Sequence, residues 1–172
     1  MVAAAVWAPS VHNTQQPWRF TARGQQISLC ADAERQLRVA DPDGREMMIS
    51  CGAALFTARL ALRSLGYLPD VCLLPDPGQP LLVALVGWQR RAACTEFEQQ
   101  LFGQVRQRRT HRGGFDPVPL PPGLLAALRL ATAPTLSWCS GSGHSSRWPP
   151  ACAARPKTSC PKAAAKTPPQ PF

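Results

Sequence analysis

Residues Ala8 to Phe20 read Ala-Pro-Ser-Val-His-Asn-Thr-Gln-Gln-Pro-Trp-Arg-Phe. Pro9-Ser10 starts a turn, and Asn13 offers an amide that can reach back to the backbone. Pro17 closes the loop before an aromatic anchor, Trp18, and the apolar Phe20. A loop of this kind displays backbone N–H groups and short hydroxyl or amide donors. Taken alone, the same letters also describe an ordinary proline-bounded loop over a buried tryptophan.

Beyond this loop the chain alternates between strand and helix patterns. Gln26–Ala31 predicts a short strand with Ile27 and Leu29 on one face, and Pro80–Trp88 predicts an apolar strand buried on both faces. Between them lies the strongest helix signal. Asp43 and Glu46 have capping-box spacing, and Met47, Cys51, Ala54, Leu55, Ala58, Leu62 and Leu65 form one stripe that Gly66 and Pro69 terminate. This helix reads either as the backing of a cofactor or as a plain core helix.

A second helix is expected from Thr95, with Glu98 at the capping-box position and Phe97, Leu101 and Val105 turned inward. Its C-terminal end delivers Gln-Arg-Arg-Thr-His-Arg-Gly-Gly-Phe, residues 107–115. Alone, Arg108, Arg109, His111 and Arg112 describe a solvated basic helix end favoured by the helix dipole.

Two segments together carry a resemblance. Ala8–Phe20 resembles the Pro-Ser-x-x-Asn-x-Gln-Pro-Trp signature of the nitroreductase superfamily, with Gln15-Gln16 placing one extra residue between Asn13 and Pro17. The stretch from Arg108 to Ala131 resembles the opening of a nitroreductase domain: Arg-Arg-Ser-x-Arg-x-Phe, a Val-Pro turn, then a Leu/Ala helix. The order, loop first and arginine cluster second, is similar to the tandem branch of that superfamily, in which two half-domains in one chain imitate a dimer. The resemblance implies an α+β nitroreductase-like fold, with a first half over residues 1–94 and the start of a second over 95–131. It implies FMN as cofactor, with Pro9, Ser10, Val11 and Asn13 meeting Arg108, Arg109, Thr110 and Arg112 around it. It also implies NAD(P)H and a small-molecule electron acceptor, nitroaromatic or quinone-like, as partners. Alternatives from other classes are a non-enzymatic protein that binds or sequesters FMN, and an inactive truncated product. Because much of the second half is missing from this pattern, apolar surface on the first helix stripe and on the helix near Pro122 is expected to be exposed and to drive self-association.

Composition bounds the remaining possibilities. The 172 residues are 45% apolar and carry a net charge of +9. Through residue 132 the chain holds 14 Arg against 10 acidic residues, a net +4, so the last 40 residues supply the other +5 without any acid. That tail has eight prolines and no apolar period, so residues 132–172 are expected to be disordered. Its abrupt change of composition reads as translation in a shifted frame or, alternatively, as a basic linker. Its charges are too sparse for a nucleic-acid arm. Seven cysteines without a Cys-x-x-Cys pair give no zinc pattern, and reduced thiols are expected. With no signal-peptide or membrane-spanning pattern, a cytoplasmic protein is expected.

Overall fold

The computed structural model describes residues 1–11 and 16–130. The expected disorder beyond residue 131 lies outside these residues. The described chain divides into two compact units that meet between Thr110 and His111.

The first unit is built on four strands, β1 (Trp18–Arg23), β2 (Gln26–Ala31), β3 (Tyr67–Leu73) and β4 (Leu82–Arg91). They form one antiparallel sheet in the order β1-β2-β4-β3. Arg23 pairs with Gln26 at the β1–β2 hairpin, and Gly24 takes the positive φ of 55° that so short a connection requires. Since β2 and β3 both run antiparallel to β4, they are parallel to each other. The link between two parallel strands demands a crossover. Helix α2 (Arg45–Ser64) supplies it, and the short helices α1 (Val2–Ala5) and α3 (Glu96–Gln104) pack against α2.

The core lies between one sheet face and α2. Trp18, Leu29, Ala31, Ala84 and Val86 meet Met47, Cys51, Ala54, Leu55 and Leu62 there. The two strands expected from sequence are present, and residues 82–87 of β4 are buried on both faces as anticipated. Strands β1 and β3 were not anticipated. β3 contains Pro69, which usually argues against a strand, but it lies at an edge and at a register shift between Leu68 and Asp70.

Three details depart from the sequence reading. The first turn of α2 is not capped by Asp43. Gly44 is the N-cap residue at φ 69°, and that left-handed reversal brings the Asp41 carboxylate onto the backbone N–H groups of Glu46 (3.1 Å) and Met47 (2.8 Å). Leu65 lies outside the stripe, 58% exposed, because the chain leaves the helix there and Gly66, at φ 78°, turns it into β3. Phe97 points outward, since Glu98, Leu101, Phe102 and Val105 are the residues at inward spacing on α3.

The α2 stripe itself is buried, which corrects the expectation that it would be exposed. In the second unit, residues 124–130 are helical, and Leu125, Leu128 and Leu130 are exposed. Cys51 and Cys94 are free thiols, whereas Cys30 on β2 and Cys72 on β3 are each engaged in a disulfide, which corrects the expectation of reduced thiols throughout. Among the described residues no helix is long and apolar enough to cross a membrane.

Candidate functional site

The loop that opens the chain is held to α2 at two points. Ala5 and Ala8 are buried and seat the N-terminal turn. Ser50 lies one turn above Glu46 on α2, and its hydroxyl donates to the Glu46 carbonyl at 2.8 Å while accepting the Val11 backbone N–H at 3.2 Å. At the far end of the loop, the Pro17 carbonyl accepts the Cys51 thiol at 3.4 Å and the Asp32 N–H at 3.0 Å. Gln16 takes a left-handed φ of 43°, with its side-chain amide donating to the Val6 carbonyl at 3.1 Å. Pro9 is exposed and Ser10 half-buried; Asn13 lies outside the described residues. A small depression beneath the loop is lined by Val11, Pro17, Arg35, Asp41, Met47 and Ser50.

The basic segment after α3 reaches this loop. Both halves of the capping box form: Glu98 N–H donates to Thr95 Oγ1, and Thr95 N–H donates to the Glu98 carboxylate. The helix ends at Gln104, and the chain then turns back towards the N-terminus. Arg108 Nη2 donates to the Trp7 carbonyl at 3.3 Å, and the Arg106 guanidinium lies over the Trp7 ring, 5.2 Å from its centroid. Arg108 Nη1 also donates to Thr110 Oγ1 at 2.9 Å, while Arg109 donates to the carbonyls of Arg106 and Arg108. Among the described residues, Arg106, Arg108 and Arg109 have no carboxylate partner. Arg112 is exposed and belongs to the second unit.

A Mycobacterium tuberculosis protein named "Putative NAD(P)H nitroreductase Rv3131" is 37% identical over 133 residues, covering 77% of this chain and 38% of the relative. From the same organism, "Putative NAD(P)H nitroreductase acg" is 35% identical over 118 residues, covering 69% of this chain and 35% of the relative. The chain belongs to the nitroreductase family. It spans a little over one third of the length of these relatives. No protein-family model matches the chain.

Two ion pairs brace the elements that carry the candidate site. Arg19 meets Asp32 through Nε (3.1 Å) and Nη2 (2.8 Å), and this hydrogen bonding holds the Asp32 carboxyl below its ordinary range. Arg63 meets Glu98 in the same two-pronged way and donates further to the carbonyls of Ala92 and Ala93. Burial alone would push Glu98 up, but the donors from Arg63 and Thr95 bring it below its ordinary range. The Cys51 thiol, buried in the core, is pushed up to about 12 and so remains a hydrogen-bond donor at neutral pH.

Of the anticipated residues, the fold brings Pro9, Ser10 and Val11 into the same unit as Arg108, Arg109 and Thr110, joined through Trp7. Sequence reading missed Trp7, Arg106 and Ser50. Trp7 directly precedes the motif, and an aromatic residue before a loop has no distinctive pattern. Ser50 interrupts the apolar helix stripe next to Cys51, and a polar residue at a core-facing position was the available signal.

Proposed function

We propose that this chain provides an FMN site of nitroreductase type, in which electrons pass from NAD(P)H through the flavin to a nitroaromatic or quinone-like acceptor. The observation that carries this reading is the Arg108–Trp7 hydrogen bond. It brings a basic segment beside the loop that begins at Ala8, so that Arg108, Arg109 and a polar loop share one unit, which supports the reading. Guanidinium groups without carboxylate partners suit a phosphate, because the planar fork matches its oxygens and no internal ion pair must first be broken.

FMN, when bound, supplies the two-electron chemistry. The chain's own residues bind and orient it. In this reading Arg108 and Arg109, with Thr110, hold the phosphate, and Pro9, Ser10, Val11 and Asn13 form the wall against the ring and ribityl chain. The join between a first half (1–94) and the start of a second (95–131) falls at Cys94–Thr95, where Arg63 grips the carbonyls of Ala92 and Ala93. In this reading the setting is cytoplasmic, and Leu125, Leu128 and Leu130, exposed in the second unit, would be the surface for any self-association.

Purified protein should acquire a flavin absorption band on incubation with FMN, and NAD(P)H should bleach that band under anaerobic conditions. Binding without bleaching would favour a protein that holds flavin without turning it over. Absence of binding would overturn the reading.

A further inference from the structure

Ser50 is 1% exposed on a helix whose neighbouring inward positions are Met47, Cys51, Ala54 and Leu55. A buried hydroxyl in such a setting costs stability unless it is fully used. It is fully used: its proton goes to the Glu46 carbonyl and its lone pair takes the Val11 N–H. The next residue, Cys51, performs the complementary task at the other end of the loop, donating to the Pro17 carbonyl. Two consecutive residues of the most buried helix therefore fix the positions of residues 11 and 17, two points within the motif segment. Nothing in helix stability requires Ser50 to reach Val11. An alanine there would propagate the helix better.

We propose that Ser50 is a positioning residue for the flavin loop, and that the Val11 N–H is committed to Ser50 rather than to the flavin. This rests on the flavin reading above and sharpens it: Val11 contributes by its place, and the loop's ligand groups must come from its neighbours. Ser10, half-buried and one residue before the tether, is the first of these.

The test compares wild-type, Ser50→Ala, Ser50→Thr and Arg109→Ala proteins. Amide hydrogen exchange is followed without flavin across residues 9–18 and across α2, and binding is measured for both FMN and riboflavin. Loss of the Ser50 acceptor is expected to speed exchange at Val11 by about tenfold and leave α2 unchanged, since one hydrogen bond is removed locally. Ser50→Ala is expected to weaken FMN and riboflavin by the same factor, whereas Arg109→Ala weakens FMN selectively. Ser50→Thr, which keeps the hydroxyl, is expected to restore both exchange and binding. Unchanged exchange and affinity in Ser50→Ala would overturn the proposal, as would a threonine variant as defective as the alanine one, or a loss confined to FMN. If wild-type protein binds neither flavin, the flavin reading fails. The exchange data then decide by themselves whether Ser50 positions the loop, and unchanged exchange would overturn that too.

Discussion

Arg63 and Glu98 face one another across the α2–α3 boundary, Nε to Oε1 at 2.8 Å and Nη2 to Oε2 at 2.9 Å, with both side chains almost sealed from water. The pair is more than a salt bridge. The same guanidinium takes the carbonyls of Ala92 and Ala93, and the same carboxylate accepts the Thr95 N–H. The turn that launches α3, and with it the basic segment, is thus organised around one buried arginine.

Removing either partner leaves the other charge buried and uncompensated. Glu98→Ala or Arg63→Ala should cost on the order of 3–5 kcal/mol, measured by urea denaturation. Replacing both with apolar residues of similar volume should cost less than either single change, because no stranded charge remains. Additive losses in the double variant would show that the pair carries no buried coupling.

The direction of two carboxyl shifts sets an acid limit. Asp32 and Glu98 both have folded-state values below their ordinary ones, Asp32 chiefly through Arg19, and Glu98 through Arg63 and Thr95 despite its burial. A depressed carboxyl value means that the unfolded chain binds protons more readily. Stability from these groups is therefore complete above the ordinary carboxylate range and is lost as pH falls through their lower folded values, below about pH 4. Melting temperature followed from pH 7 down to pH 3 should drop at the acid end, and Asp32→Asn should flatten part of that drop. An unchanged acid limb in Asp32→Asn would remove this residue from the account.

The sequence was legible where local chemistry acts within a few residues. The Thr95–Glu98 capping box needs only its own turn, and the apolar run of β4 needs only burial. Asp41 was not legible as the α2 cap, since its role depends on the left-handed turn at Gly44 that folds it back over the helix start. β3 was hidden by Pro69, whose missing N–H is harmless only on an edge strand at a register shift. At the site, the arginines and the loop could be named from pattern. Their meeting through Trp7 and the tether at Ser50 span 101 and 39 residues of sequence, and no local period encodes contacts at that distance. Gln16 takes a left-handed position, a conformation rare for a residue with a side chain, and no local pattern announces it.

Trp7 should matter to the basic segment rather than to the core. Trp7 is 40% exposed, with Arg106 above its ring, so an exposed cation–π contact of roughly 0.5–1 kcal/mol is at stake. Trp7→Ala should leave the cooperative unfolding transition nearly unshifted while raising amide exchange over residues 105–110. Trp7→Phe should lie between the two, since a phenyl ring keeps a weaker quadrupole. A large loss of global stability in Trp7→Ala would instead place the indole in the folding core.

Arg109 provides the sharpest separation between phosphate binding and a solvated helix end. It is exposed, it donates to backbone carbonyls of its own segment, and it lacks a carboxylate partner among the described residues. Its replacement should therefore cost little folding stability, within about 0.5 kcal/mol, as for surface substitutions in general. If it meets the FMN phosphate, Arg109→Ala should weaken FMN by about 1.5–3 kcal/mol, the scale of a charge-assisted hydrogen bond. Riboflavin, which has no phosphate, should bind wild-type and variant nearly alike. The FMN affinity of the wild type should also fall as salt is raised, and that slope should be shallower in the variant. Equal losses for both flavins would point to a displaced loop, and no loss for either would return Arg109 to the role of a solvated charge at the end of a helix.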